Sequence, residues 1–275
     1  MIYIGPAGVP LTAKDKSTIG GLRRVAELGL NAMEIEFVRG VAMGREMAKR
    51  VGEEARRLGI RLSVHCPYFI NLCSTEEPKL EASKKRILDS ADRAHLMGAD
   101  IAVFHPGFYG KLSPEEALRK VSEACTDLRE RLEKAGRGEV RLGLETMGKQ
   151  NTFGTLEEIL EICRKVRGCV PVVDWAHLYA RSAGQVKWSS VFSALRGFKH
   201  LHTHFTGVEF KEVGPGRGNE KRHLEITRKS PPFEPLGEEI LRSGKDITII
   251  SESPALERDA LLMKDFFEER GFRFQ

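Results

Sequence analysis

Short runs of aliphatic and β-branched residues alternate along this chain with longer stretches in which apolar positions recur every three or four residues. The short runs predict strands at residues 2–4, 32–37, 61–64, 101–104, 141–144, 170–173, 198–203 and 247–251. A helical pattern follows each. Between residues 44 and 58, for example, Met47, Ala48, Val51, Ala55 and Leu58 form one apolar stripe. Residues 79–97, 114–132 and 155–166 read the same way. Ser113-Pro114-Glu115-Glu116 supplies an N-cap, a proline at the first helical position and acids at the positive end of the helix dipole. Thr155 and Glu158 have capping-box spacing.

Eight strands in 275 residues give about 34 residues per strand–helix unit, the size of one repeat of a (β/α)8 barrel. Several strands are apolar on both faces, as a parallel sheet covered by helices requires. An open, doubly wound sheet would ordinarily carry a glycine-rich phosphate loop after an early strand. Gly5-Pro6-Ala7-Gly8 has neither that spacing nor a Walker pattern. The expectation is an α/β chain folded as one TIM-barrel domain over residues 1–275.

Composition narrows the setting. With 44 basic and 39 acidic residues the net charge is +5, which permits a polyanionic partner without requiring one. No apolar span reaches membrane length, and MIYIGPAGVP lacks the form of a signal peptide, so neither a membrane protein nor an exported one is expected. Five cysteines without a C-x-x-C pair fit a reducing cytoplasm rather than a disulfide framework or a thiolate zinc finger. No obligate protein partner is evident.

The eight histidines carry the chemical signal. His65 and His105 follow the third and fourth strands, and His177 lies three residues beyond Asp174 at the end of the sixth. His200, His202 and His204 share one face of the seventh strand by two-residue alternation, and His223 lies in the segment after it. Only His95 falls inside a helix, where a structural role is the simpler reading. Glu145, Asp174 and Glu252 also stand at carboxyl ends of strands. That rim is where barrel enzymes build their sites. Imidazoles and carboxylates without thiolates suit zinc or another first-row divalent ion, and their number suits a cluster of two or three ions. Cys66, next to His65, should face the opposite side of the wall and pack outward.

Seen in order, Val64-His65-Cys66-Pro67-Tyr68-Phe69-Ile70-Asn71-Leu72, Phe104-His105-Pro106-Gly107, Leu144-Glu145-Thr146 with Gly148-Lys149-Gln150-Asn151, Val173-Asp174-Trp175-Ala176-His177, the histidine-rich seventh strand and Ser251-Glu252-Ser253-Pro254 resemble the endonuclease IV family. These are metal-dependent apurinic/apyrimidinic endonucleases on a TIM barrel. The resemblance implies two or three zinc ions, with manganese as a substitute. It implies His65, His105 and Glu145 around a first ion. Glu145 would be shared with a second held by Asp174, His204 and Glu252, with His202 in reserve for His204. His177 would serve a third. Glu145 and Glu252 would be the catalytic carboxylates, and Arg39, Tyr68 and Phe69 would meet double-stranded DNA bearing an abasic or otherwise damaged site. The implied reaction is hydrolysis of the phosphodiester 5′ to the lesion, in DNA repair.

Two departures mark a divergent branch. Where the family has Asp-x-His for the third ion, this chain has Gly216-Arg217-Gly218-Asn219-Glu220-Lys221-Arg222-His223, so that site would be rebuilt with His223, with Glu220 as a further candidate. Thr206-Gly207 replaces the family's Asn-Asp. The segment from Lys211 to Arg222 reads as a flexible basic loop able to track phosphate. Glu145, Asp174, His204 and Glu252 would equally serve a single-metal sugar isomerase or epimerase of the xylose isomerase-like barrels, but the additional histidines would then be surplus. A non-catalytic nucleic-acid-binding relative is the third possibility.

Overall fold

All eight predicted strands exist. In the computed structural model, which describes residues 1–274, they are β1 (Ile2–Pro6), β2 (Ala32–Glu36), β3 (Arg61–His65), β4 (Ile101–Phe104), β6 (Arg141–Glu145), β8 (Cys169–Asp174), β9 (His200–Phe205) and β12 (Asp246–Ser251). They form one eight-stranded sheet that follows the chain from β2 through β3, β4, β6, β8, β9 and β12 to β1. Neighbours pair in parallel, as in β4 with β6 and β12 with β9. Each connection carries helix, so the strand–helix rhythm legible in the sequence is the (β/α)8 fold itself.

Closure depends on one glycine. A Cβ built on Gly5 of β1 would lie 1.6 Å from the carbonyl oxygen of Ala32, where β2 begins. The Asn31 N–H donates to the Ile4 carbonyl at 3.2 Å, and the Asn31 side chain accepts from Ile4 N–H at 2.8 Å. Only a residue without a side chain lets the first strand approach the second this closely.

The helices are α1 (Thr18–Glu27), α2 (Arg45–Leu58), α3 (Glu77–Met97), α4 (Pro114–Lys134), α5 (Leu156–Lys165), α6 (Trp175–Arg181), α7 (Trp188–Ala194), α8 (Phe233–Ser243) and α9 (Glu257–Glu269). The expected capping box at Thr155 and the expected N-cap at Ser113 are present, and Ser113 also closes a capping box. Ser113 and Glu116 exchange hydrogen bonds at the start of α4, and Thr155 and Glu158 at the start of α5.

Three expectations are corrected. His95 is not the only helical histidine, since His177 lies within α6. The seventh strand begins at His200, not Phe198, because the Phe198 N–H is used by the Leu195 carbonyl in the turn that closes α7. The segment 211–222 is not a flexible loop. It belongs to an antiparallel hairpin, β10 (Gly207–Gly214) and β11 (Arg217–Leu224), turned by Pro215-Gly216 with Gly216 at φ 64°. A smaller pair, β5 (Gly107–Phe108) and β7 (Thr152–Phe153), has no counterpart in the sequence reading.

Contacts divide the chain into two compact units. One comprises Met1–Met33, Gly148–Gln150 and Val173–Gln275, the other Glu34–Met147 and Asn151–Val172. In the second, Ile101, Val103 and Val172 pack as a core cluster beneath the strand ends. In the first, Ala176 and Ala180 of α6 pack on Val208 of β10, joined by Tyr179 and Phe210.

Gly5→Ala is expected to destabilise the protein by at least about 2 kcal/mol, since the added methyl must displace backbone rather than a side chain. Thermal or urea denaturation checks this; an unchanged midpoint would show that closure does not depend on the approach of Gly5 to Ala32.

Candidate metal centre

In the unit spanning residues 34–147 and 151–172, the ends of three strands converge. His65 is the last residue of β3, His105 follows β4, and Glu145 is the last residue of β6. Nε2 of His65 and Nε2 of His105 lie 3.1 and 3.2 Å from the same Glu145 oxygen, Oε2. Their rings meet edge to face at 5.1 Å. His65 Nδ1 lies 2.9 Å from the Cys66 carbonyl. That oxygen can only accept, so Nδ1 carries a proton; Nε2, which donates to the Glu145 carboxylate in the metal-free protein, is the nitrogen that would turn to a metal. Glu145 is fully buried.

Two further acids, which the motif reading passes over, act on this cluster. Glu34 and Glu36 alternate along β2, the first fully buried and the second half-buried. Burial disfavours a charged His65, but Glu36, the hydrogen bond and charge of Glu145, and Glu34 outweigh it and raise its pKa to about 10. A buried pocket that holds a proton this firmly lacks positive charge, and a divalent ion on the same atoms would supply it. The donor set therefore fits a metal. The signal for Glu34 and Glu36 is present in the sequence as acids at two-residue spacing in an otherwise apolar strand.

In the other unit, α6 and the hairpin supply a chain of alternating acids and imidazoles. Asp174 ends β8 and caps α6, its Oδ1 accepting the His177 N–H at 2.7 Å. Its Oδ2 lies 3.6 Å from His177 Nδ1. His177 Nε2 is 3.3 Å from Glu220 Oε2, and Glu220 Oε1 is 3.6 Å from His223 Nε2. His223 Nδ1 lies 3.1 Å from the Glu252 carbonyl, and Glu252 Oε1 is 3.1 Å from His204 Nδ1. Asp174, His177 and His223 offer ligand atoms close enough to hold one ion. Glu252 itself is placed by its N–H, which donates to the Phe205 carbonyl at the end of β9.

A β-bulge makes this arrangement possible. Glu209 pairs with Arg222 and Phe210 with Glu220, so the register skips Lys221 on β11. On a regular strand, residues three apart face opposite sides; one extra residue restores Glu220 and His223 to the same side.

The remaining candidates separate clearly. His202 and His204 are both buried, their rings 5.6 Å apart. His200 pairs with Thr248 Oγ1 at 2.9 Å, and His95 with Glu139 on the helical surface. Cys66 faces the helix layer as expected: burial pushes its thiol up to about 12, against a hydrogen bond with Ser90 of α3. Tyr68 and Phe69 are 53% and 65% exposed, and Tyr68 stacks on His105 with ring centroids 6.2 Å apart. Arg39 is exposed on the loop after β2, whose Val38 carbonyl accepts the Tyr68 N–H. The hairpin's cations are less available than their number suggests. Glu209 binds both Lys221 (3.0 Å) and Arg222 (2.8 Å).

Residues 22–269 match the xylose isomerase-like TIM barrel family, and the chain belongs to it. An uncharacterised protein of Methanocaldococcus jannaschii is 34% identical over 284 residues, covering 98% of each chain. A probable endonuclease 4 of Acholeplasma laidlawii is 36% identical over 119 residues, or 40% of each chain. Among solved structures, endonuclease IV from Thermus thermophilus superposes with a TM-score of 0.70 at 22% identity, covering 96% of this chain and 99% of that one. A D-tagatose 3-epimerase-like protein superposes with a TM-score of 0.72 at 23% identity, covering 96% of each. At these identities the superpositions establish the fold. Family members include endonucleases, epimerases and isomerases, so membership places the chain among enzymes without fixing a substrate.

Because the raised pKa of His65 favours the folded state when the ring is protonated, the metal-free protein should be most stable below about pH 6.5. That contribution should fade as pH rises toward about 10. Thermal melts in excess chelator across this window check the direction, and His65→Asn should flatten the dependence.

Proposed function

We propose that this chain is a metal-dependent phosphodiester hydrolase that cleaves DNA on the 5′ side of abasic sites. The observation that carries this reading is the surplus of clustered imidazoles. One divalent ion for sugar chemistry needs about four ligands, yet His65 and His105 gather on Glu145, and His177 and His223 gather on Glu220. In this reading His65, His105 and Glu145 hold one ion. Asp174, His204 and Glu252 hold a second, and His177, His223 and Glu220 hold a third. Zinc or manganese suits these nitrogen and oxygen donors. When bound, such ions polarise the phosphodiester, lower the pKa of water and offset charge on the leaving oxygen.

The protein's own groups do the rest. Glu252, whose N–H bonds the Phe205 carbonyl and whose carboxylate meets His204, would orient the attacking water and accept its proton. Tyr68, stacked beside His105, and the exposed Phe69 offer rings, and Arg39 a cation, to the strand flanking a missing base. An extrahelical abasic sugar enters such a site at low cost because no base must be unstacked. The five cysteines are free thiols, which suits work on DNA in a reducing compartment. No helix among the described residues is long and apolar enough to cross a membrane.

The competing reading is a single-metal sugar epimerase, favoured by the superposition on a D-tagatose 3-epimerase-like protein. Elemental analysis separates the two: two or three ions per chain support the nuclease and one supports the epimerase. Purified protein should incise a duplex carrying a single abasic site, lose that activity to a strong chelator and regain it with zinc or manganese. It should leave a ketohexose panel unchanged. Turnover of a sugar with no incision would overturn the proposal. Glu145→Gln should reduce incision by about 100-fold or more, well beyond Glu220→Gln, because two imidazoles converge on one of its oxygens; equal losses would displace the centre of the site.

A further inference from the structure

The cluster of His177, Glu220 and His223 depends on a hairpin reaching α6, and strand pairing alone does not determine where that hairpin rests. One side chain is bonded to both. The Gln150 amide donates to the Gly218 carbonyl on β11 at 3.0 Å and to the Arg181 carbonyl at the end of α6 at 2.8 Å. Its oxygen accepts from Arg217 Nε at 3.2 Å, and its backbone N–H donates to Asn219 Oδ1 at 2.7 Å. Both amide hydrogens and the amide oxygen are thus occupied by the two elements that carry the imidazoles and the carboxylate. Two residues earlier, the Gly148 carbonyl accepts the Glu220 N–H at 3.0 Å. A Cβ at Gly148 would fall 2.8 Å from Glu220 Oε2 and 3.0 Å from His177 Cδ2, so the chain here passes directly behind the Glu220–His177 contact.

We propose that Gln150 is the positioning residue of the third cluster: a side-chain latch that fixes β11 on α6 so that Glu220 stands against His177. The inference rests on the reading that this cluster holds a metal ion. It does not depend on which substrate the enzyme takes. Gln150 touches neither imidazole and acts through its bonds to the hairpin and to the end of α6. Such outer partners of metal ligands typically control affinity by about 10- to 100-fold.

The test is metal binding to the full-length protein, using zinc and manganese titrations with elemental analysis after dialysis against buffered metal. Gln150→Ala should weaken the most weakly held ion by about 10- to 100-fold and leave the ion at His65, His105 and Glu145 unchanged. Gln150→Glu should do the same despite keeping its bond to Arg217, because a carboxylate cannot donate to the Gly218 and Arg181 carbonyls. Amide exchange at Glu220 should accelerate in both variants. The decisive arm is the double variant. If Gln150 works through Glu220, Gln150→Ala combined with Glu220→Gln should bind metal no more weakly than Glu220→Gln alone, whereas independent structural damage would add. Unchanged metal binding in Gln150→Ala, while Glu220→Gln loses an ion, would overturn the latch. No effect of Glu220→Gln would instead overturn the metal reading of the cluster, and the latch with it.

Discussion

Negative charge buried at the ends of strands is the constraint around which this protein is arranged. Glu145 and Asp174 are fully buried, and carboxylates in such surroundings are tolerable only beside cations or hydrogen-bond donors. In one unit, two imidazoles share a single Glu145 oxygen, and Glu36, Glu145 and Glu34 together hold the His65 pKa above its ordinary value. In the other, acids and imidazoles alternate from Asp174 through His177, Glu220, His223 and Glu252 to His204. Hydrophobic burial alone does not account for either set, since each places carboxylates against imidazoles.

What can be read in advance follows from which features have a periodic signature. Apolar runs every 34 residues or so, with Ser113 and Thr155 at helix starts, disclose the barrel and its caps because each depends on local chemistry. His65, His105, Glu145 and Asp174 are legible because strand ends are marked by the runs that precede them. The hairpin escapes the sequence reading although Gly214-Pro215-Gly216 is a turn signal, because closely spaced glycines fit a mobile loop equally well. The bulge at Lys221 has no residue signature at all; it exists only in the pairing with Glu209 and Phe210. Glu34 and Glu36 escape because acids alternating on a strand ordinarily mean a solvated face. In a sheet covered on both sides that alternation instead signals buried chemistry.

The bulge also shows how ligand spacing can change without a change of site. Two ligands separated by a single residue on a regular strand face the same way. Inserting one unpaired residue moves the second ligand along the sequence while returning it to the same side of the hairpin. Glu220 and His223 meet the requirement that an Asp-x-His pair would meet, at a spacing that a motif search for that pair passes over. Which residues share a face of the hairpin is therefore set by the strand pairing rather than by the sequence interval.

Glu209 carries a consequence for electrostatics at longer range. Its carboxylate lies against both Lys221 and Arg222, so these two cations and one anion present a net single charge to solvent. A polyanion binds basic surfaces largely by releasing condensed counterions, in proportion to the phosphates that unpaired cations neutralise. This part of the hairpin would therefore contribute about one released ion rather than two. Steep salt dependence in nucleic-acid binding would have to originate on other surfaces, and the hairpin's contribution would instead be one of shape and of the ligands carried on its other side.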